Sequence, residues 1–463
     1  MPAEGIQPYR GQRYIMRNSD ALRRLFMLMT AAILCAMETA VVIYIMNRYY
    51  NYEFRTMLYL RGHILMAGIY LVVLIFLGRV FGGLMVGVRK NGEVLFSHFF
   101  TTLFANLSFY VLLMLLSLKF PNPMALIAGA LVQLVVSFII IGFMGSRYRK
   151  IFRPYDVLLI YGSESVEEFR PKLDTRKDQF EVSDMVSADD EPEAIRAAID
   201  RTSTVMLVDI EAAKRNKIFK YCYENSKRIY VMPKLSDIIL NGAAPIHLFD
   251  TPLLLTEGNP LEYEERVIKR AWDILFSLFL IIVLSPVMLV TAICIKLQDG
   301  GPVLYRQTRC TKNGRRFEIL KFRSMVVDAE KAGKAVLATE NDPRITKVGR
   351  VIRKCRIDEL PQLFNVLKGD MSFVGPRPER PEFIEKYAEE MPEFSYRMKV
   401  RAGITGYAQL YGKYNTKPYD KLKFDLYYIE QFSIGLDIRL MILTFKILFT
   451  KESTEGTSER IEA

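Results

Sequence analysis

The chain has 463 residues, a formal net charge of +12, a sequence pI near 9.2 and an apolar share of 51%. That length allows roughly two to four domains, and the basic balance admits an anionic membrane surface or phosphorylated substrates. Nucleic acid is excluded as a partner because no nucleic-acid module is recognisable, and the scattered Cys35, Cys222, Cys294, Cys310 and Cys355 exclude a zinc site and a disulfide framework.

Residues 1–24 read as an arginine-rich cytosolic tail. Residues 25–150 read as a four-helix transmembrane domain, because four apolar stretches follow one another at residues 25–46, 62–88 (broken by Arg79), 94–118 and 120–146. Each can cross a hydrocarbon core of ~30 Å as a helix of ~20 residues. One set of flanks carries Arg10, Arg13, Arg17, Arg23, Arg24, Arg79, Arg89, Lys90, Arg147, Arg149, Lys150 and Arg153; the other carries Arg48, Arg55, Arg61 and Lys119. This asymmetry puts the amino terminus inside, and an even number of spans returns the chain to the cytosol at Arg147. Glu38 lies within the first stretch. With no partner motif in view, it reads as a protonated or bundle-facing acid.

Residues 151–255 read as a Rossmann-like α/β domain. Strands are expected at 156–161, 205–210 and 228–233, with helices at 191–201 and 211–226. The first turn, Gly162-Ser163-Glu164-Ser165, lacks the glycine pattern that lets a pyrophosphate approach, so a structural or regulatory role is expected rather than cofactor binding.

The segment 256–450 opens with a fifth apolar stretch at 274–295, which has Ser285-Pro286 near its middle. Lys269 and Arg270 precede it; Lys296, Arg306, Arg309, Lys312, Arg315 and Arg316 follow it. Both flanks therefore prefer the cytosol. A helix over 271–297 that breaks at Pro286 and re-enters satisfies both, and Ser285 is placed to satisfy the carbonyl that proline frees. Two strand-like runs, 303–309 and 315–325, flank Asn313-Gly314, a hairpin signal. Strand alternation puts Lys321 and Arg323 on one face, where they suit phosphate oxygens. A basic helix-like run from 347 to 356 suits an anionic surface. Asp358-Glu359-Leu360-Pro361-Gln362 begins another helix, with Pro361 in its first turn and Asp358 at or near its cap. Arg353 lies just upstream. Downstream, Pro376 and Pro378 stiffen a loop that presents Arg377. Residues 436–449 read as an amphipathic or membrane-resting helix, and 451–463 as a disordered tail.

Residues 266–463 resemble the bacterial sugar transferase domain of polyprenyl-phosphate glycosyl-1-phosphate transferases, the one-membrane-helix superfamily. The motifs that carry the likeness are Lys269-Arg270-x-x-Asp273, Ser285-Pro286, Gly301-Pro302, Lys321 to Met325, Asp358 to Gln362, Gly369-Asp370-Met371-Ser372 and Val374 to Pro378. With four preceding spans and a middle α/β domain, the whole looks like the larger members that start exopolysaccharide, capsule or O-antigen synthesis. The resemblance implies a membrane helical bundle plus α/β fold, with an α+β catalytic domain anchored by a re-entrant helix on the cytosolic face of the bacterial inner membrane. It implies transfer of a hexose-1-phosphate from a UDP-sugar, commonly UDP-glucose or UDP-galactose, to undecaprenyl phosphate, with UMP released. It further implies Asp358 as nucleophile, Glu359 as the Mg²⁺ residue, Arg353 supporting the acidic pair or phosphates, and Pro376-Arg377-Pro378 on the nucleotide. Cys310-Thr311 and Ala402 depart from the family's usual Val-Gly and Pro. The sugar and the role of the middle domain stay open, as does the oligomeric state; the spans and middle domain are able to mediate a homodimer.

Overall fold

The computed structural model describes residues 10–54, 57–162, 166–256, 258, 261–327, 342–412 and 416–447. The first-turn residues Ser163–Ser165 and the tail at 451–463 lie outside them. The chain divides into two compact units, Met1–Pro233 and Lys234–Ala463.

The first unit opens with α1 (Arg10–Ile45), α2 (Leu60–Phe81), α3 (Asn91–Ser117) and α4 (Met124–Ile151). Among the described residues these four and a fifth helix in the second unit are long and apolar enough to cross a membrane, as expected of a multi-pass membrane protein. Leu28, Val72, Leu115 and Phe138 stay exposed, the placement expected of lipid-facing side chains. The bundle interior holds a polar cluster among its apolar side chains. Glu38 on α1 accepts from Ser137 on α4 (2.8 Å) and from Thr102 on α3 (3.2 Å), and its carboxylate meets His98 Nε2. Gln133 on α4 donates to the Glu38 carbonyl (3.1 Å) and to the Tyr70 hydroxyl on α2 (2.9 Å). All four spans thus share one buried network, the arrangement that lets polar groups exist at membrane depth.

Next come β1 (Tyr155–Tyr161), α5 (Val166–Asp174), β2 (Phe180–Ser187), α6 (Pro192–Arg201), β3 (Thr204–Val208), α7 (Ala212–Glu224) and β4 (Arg228–Val231). The sheet is parallel, in the order β2-β1-β3-β4. Alternation splits its strands between two cores. Leu158, Ile160, Val205 and Leu207 pack with Ile195, Ile199 and Ile218 of α6 and α7, while Val157, Leu159, Met206 and Val208 pack with Leu173 of α5. Both faces are covered, which is why these strands read as continuous apolar runs. The Rossmann-like expectation holds, with β2 and α5 added. Arg228 pairs with Asp20, and Arg176 donates to the Val88 carbonyl (2.7 Å), joining the sheet domain to the bundle.

The second unit starts earlier than the expected boundary at 255/256. α8 (Leu235–Asn241) buries Ile238 among Leu422, Leu426 and Ile429, so residues 234 onward pack with the carboxy-terminal core. The hairpin β5 (Ala244–Leu248) and β6 (Thr251–Leu255) follows, and then α9 (Tyr263–Asp299). Pro286 lies inside α9, whose helical hydrogen bonding continues through the expected break. The physical reason is local. Proline at 286 frees the Ile282 carbonyl, and the Ser285 hydroxyl donates to that carbonyl at 2.8 Å. α9 buries Lys269, Asp273, Ser277, Thr291 and Ile295 along one stripe. Its other faces expose Leu275, Phe279, Ile282, Val283, Leu289 and Val290.

The rest of the unit is β7 (Leu304–Cys310), β8 (Arg316–Phe322), α10 (Lys347–Lys354), α11 (Gln362–Lys368), β9 (Ser372–Val374), α12 (Pro381–Glu390), β10 (Gly403–Thr405), α13 (Tyr407–Tyr411), α14 (Pro418–Glu430) and α15 (Ile434–Ile447). β7 and β8 pair antiparallel around the turn, where Asn313 (φ 57°) and Gly314 (φ 72°) both take the left-handed conformation a tight hairpin needs. The main core gathers Leu363, Phe373, Phe394, Leu422, Leu426, Tyr428 and Leu440.

Candidate active site

β8 faces Phe317 and Ile319 onto Val366 and Met371, and Lys321 continues that face. The Asn365 side chain of α11 completes the strand edge: its Oδ1 accepts from Leu320 N (2.9 Å) and its Nδ2 donates to the Glu318 carbonyl (2.8 Å). α11 is thereby held against β8, which sets Lys321 beside the residues that precede α11.

Those residues are the acidic pair. α10 is capped by Thr346, whose hydroxyl accepts from Gly349 N at 2.9 Å. A Cβ at Gly349 would lie 1.9 Å from the Ser324 carbonyl oxygen, so only glycine lets α10 sit this close to the chain leaving β8. α10 ends at Lys354 with Cys355 as its cap, and Arg356 turns left-handed (φ 52°). A non-glycine residue there costs on the order of 1 kcal/mol. The turn Ile357–Glu359 follows, and Pro361 (φ −61°) leads into α11. Asp358 therefore sits one turn ahead of α11 rather than at its cap.

Cations converge on the pair. Lys321 Nζ lies 2.9 Å and Arg377 Nη2 3.2 Å from the same oxygen, Glu359 Oε1. Burial pushes the Asp358 carboxyl up, and neighbouring Glu359 adds to this; Lys321, Arg353 and Arg377 pull it back, leaving it at about 6. Burial also pushes Glu359 up, but Lys321, Arg377 and Arg356 outweigh that and hold it well below the usual carboxylate range. Two adjacent acids are thus driven apart, a pattern common where a nucleophile is tuned.

The Pro376-Arg377-Pro378 loop leaves β9. A Cβ at Gly403 would meet Gly375 N at 2.1 Å, so a glycine at this crossing lets the two backbones touch. Gly403 N donates to the Pro376 carbonyl (2.9 Å), Arg397 Nη2 to the Arg377 carbonyl (3.0 Å) and Arg309 Nη1 to the Pro378 carbonyl (3.2 Å). Arg397 is buried and pairs with buried Asp425 at 2.8 Å. Burial raises the Asp425 carboxyl to about 6, with Arg397 opposing. Pro376 and Pro378 are buried while Arg377 is exposed, so the prolines serve to present the guanidinium.

Not every expected residue joins the site. Arg323 is buried and grips Asp299 at the end of α9 with both terminal nitrogens, one at 2.8 Å. β8 ends at Phe322, so the alternation that placed Arg323 beside Lys321 has already stopped. Arg323 anchors the end of α9 through Asp299. Ser285 and Pro286 lie exposed on α9. Sequence reasoning assigned no role to Arg397, Asp425 or the Lys269-Arg270-x-x-Asp273 motif. Arg397 belongs to no motif, and its partners Arg377, Glu379 and Asp425 lie on other parts of the chain.

Among the described residues no group of three or more His, Cys, Asp or Glu gathers as a metal site. What Asp358 and Glu359 offer is one or two hard carboxylates, the set Mg²⁺ takes when substrate phosphates supply further ligands. The residues therefore fit Mg²⁺.

The bacterial sugar transferase family matches residues 264–451. The chain is 42% identical over 225 residues to the UDP-N-acetylgalactosamine-undecaprenyl-phosphate N-acetylgalactosaminephosphotransferase of Aeromonas hydrophila, covering 48% of this chain and 52% of that one. It is 40% identical over 211 residues to the UDP-glucose:undecaprenyl-phosphate glucose-1-phosphate transferase of Escherichia coli K12, covering 44% and 43%. A Bacillus subtilis protein provisionally named as an undecaprenyl-phosphate N-acetylgalactosaminyl 1-phosphate transferase is 53% identical over 131 residues, covering 28% and 73%. The first two matches thus span about half the length of those relatives.

Proposed function

The chain belongs to the bacterial sugar transferase family, and from that premise we propose that it transfers a hexose-1-phosphate from a UDP-sugar to undecaprenyl phosphate, the first membrane step of exopolysaccharide or capsule synthesis. A carboxylate oxygen of Asp358 attacks the sugar-linked phosphorus of the donor. The bond from that phosphorus to the bridging oxygen breaks, and UMP leaves with the oxygen. The phosphosugar stays on Asp358 as an acyl phosphate. An oxygen of undecaprenyl phosphate then attacks the same phosphorus, and the Asp358 carboxylate is released. The observation that carries this reading is the convergence of Lys321 and Arg377 on Glu359, directly beside an Asp358 carboxyl that burial lifts to about 6.

Each residue's part follows from its chemistry. Asp358 is largely ionised at neutral pH yet more basic than an ordinary carboxylate, which suits a nucleophile. Lys321 and Arg377 offset the repulsion between an anionic nucleophile and a diphosphate. Arg377, held rigidly and exposed, is suited to the nucleotide part of the donor. Mg²⁺ held by Glu359 and the donor's phosphates would supply further positive charge to the diphosphate.

The catalytic unit belongs on the cytosolic face of the bacterial inner membrane, with α9 dipping in and out. If straight, α9 would hold Arg270 and Asp299 about 44 Å apart. Yet Arg270 donates to the Val366 carbonyl, and neighbouring Asn365 accepts from Leu320 N. Three residues later, Arg323 grips Asp299. Those links span that distance only if stretched in one line, which favours a bent helix. Cysteines placed singly at Glu264 and Leu297 should both react with a membrane-impermeant thiol reagent from the cytosolic side alone; reaction of one from each side would mean a crossing.

The direct test offers the purified protein UDP-glucose, UDP-galactose and UDP-N-acetylgalactosamine with undecaprenyl phosphate and Mg²⁺, and follows UMP. Polyprenyl-diphosphate-sugar should appear. Free sugar phosphate without lipid product would make the protein a hydrolase, and unchanged biological activity of Asp358→Asn would make it a scaffold.

A further inference from the structure

The Lys269-Arg270-x-x-Asp273 motif lies far from the acidic pair in sequence and touches neither Asp358 nor Arg377 in any described hydrogen bond. Its three polar residues nonetheless reach both arms of the site. Arg270 donates to the carbonyls of Val366 (2.6 Å) and Leu367 (2.8 Å), closing the end of α11, the helix that the acidic pair precedes. Asp273 Oδ1 accepts from the Ser372 hydroxyl (3.0 Å) and Phe373 N (2.9 Å) on β9. Lys269 Nζ donates to the Val374 carbonyl (3.1 Å) and pairs with Asp437 (2.6 Å), while Tyr428 holds the same carbonyl (3.1 Å) and the same carboxylate (2.8 Å). Two residues after Val374 the chain enters Pro376-Arg377-Pro378.

We propose that Lys269, Arg270 and Asp273 form a clamp through which the lipid-embedded helix α9 sets the spacing between the acidic pair and the Arg377 loop. Residues 269 and 273 lie on one helical face, and 270 lies beside it. That short face holds one arm by α11 and the other by β9. The arms meet again at Glu359, where Arg377 reaches Oε1 (3.2 Å). Lys269 and Asp273 are 8% and 4% exposed. Their bonds run through protein rather than water, where a lost partner leaves a buried group unsatisfied. Beyond the clamp, α9 exposes Leu275, Phe279, Ile282 and Val283 to the bilayer. A helix seated in lipid at this end therefore also fixes where the nucleophile stands relative to the nucleotide-holding arginine. These are positioning residues, and the inference rests on the transfer reaction proposed above.

The test uses the full chain in lipid nanodiscs, with UMP release from a UDP-sugar as the rate and amide hydrogen exchange as the structural readout. Asp273→Ala should lower kcat by roughly 30- to 100-fold, the size expected for a misplacement of about 1 Å, with a smaller change in donor KM. Exchange should quicken over residues 372–378 and stay unchanged over 304–322. Asp273→Asn keeps an accepting oxygen and should return kcat to within a few-fold of wild type. The clamp is overturned if Asp273→Ala stays within threefold of wild type, or if exchange rises evenly across the domain, which marks general loosening. If Asp273→Ala does not insert, Arg270→Lys replaces it, since lysine cannot span two carbonyls as the guanidinium does; the same two outcomes decide. A wild-type protein that releases no UMP would sink the transfer reading itself.

Discussion

Replacing Lys321 with Met should move the acid limb of the reaction's pH profile upward. Lys321 Nζ lies 2.9 Å from Glu359 and is the strongest of the three cations that pull the Asp358 carboxyl down. Burial and the Glu359 charge push the other way and would remain. An opposite charge within ~4–6 Å moves a carboxylate by ~1–3 units, and the low end applies because Arg353 and Arg377 stay in place. The Asp358 carboxyl should therefore rise from about 6 to roughly 7. At pH 6 the ionised fraction would fall from about one half to about one tenth, a roughly fivefold deficit; at pH 7.5 it would fall only from about 97% to about 76%. Any loss of phosphate binding adds a pH-independent factor, so the diagnostic is the change in deficit with pH. The assay is single-turnover UMP release without lipid, between about pH 5 and pH 8.5, so that titration of the acceptor phosphate does not enter. An acid limb with the same midpoint in both proteins, or one that moves downward in the variant, would refute the assignment of Asp358 as the group that must be ionised.

Three further outcomes follow from the same geometry. Asp358→Asn should abolish transfer yet raise the thermal midpoint at pH 7.5: a carboxyl lifted to about 6 adds stability below its unfolded value, and this is lost as pH rises through 6. The gain should shrink below about pH 5; calorimetry at two pH values checks it, and a lower midpoint at pH 7.5 contradicts it. Arg323→Ala should lower the midpoint by a few degrees while leaving donor KM within about twofold, since Arg323 holds Asp299 rather than phosphate; a large rise in KM would restore it as a ligand. Glu38→Leu should destabilise the bundle by about 1–2 kcal/mol, because His98, Thr102 and Ser137 lose their shared acceptor among the spans; Glu38→Gln, which keeps an acceptor, should be milder in thermal circular dichroism.

Much of this architecture was legible in the sequence for identifiable reasons. Hydropathy locates the spans because lipid leaves apolar side chains facing outward. Asn313-Gly314 marks the hairpin because both residues tolerate positive φ. The two arms of the site, around Asp358 and Arg377, are visible because proline fixes the backbone on either side. What stayed hidden depends on tertiary partners. β2, with its polar sequence Phe180–Ser187, sits at the sheet edge, where one side needs little burial. Arg323 reads as a surface cation until Asp299 is seen beside it. Glu38 finds His98, Thr102 and Ser137 on other helices, and no spacing within one helix signals such a set. Within α9 the Ser285 hydroxyl reaches the carbonyl that Pro286 abandons.

A covalent adduct on Asp358 is the species that separates transfer through an enzyme intermediate from direct transfer. The wild-type protein should be mixed with a UDP-sugar and Mg²⁺ in the absence of undecaprenyl phosphate, quenched in acid and digested for mass spectrometry. One sugar phosphate on the peptide that carries Asp358, formed with one equivalent of UMP and discharged when undecaprenyl phosphate is added, is the predicted result. UMP release that requires the lipid from the start, with Asp358 never modified, would contradict it.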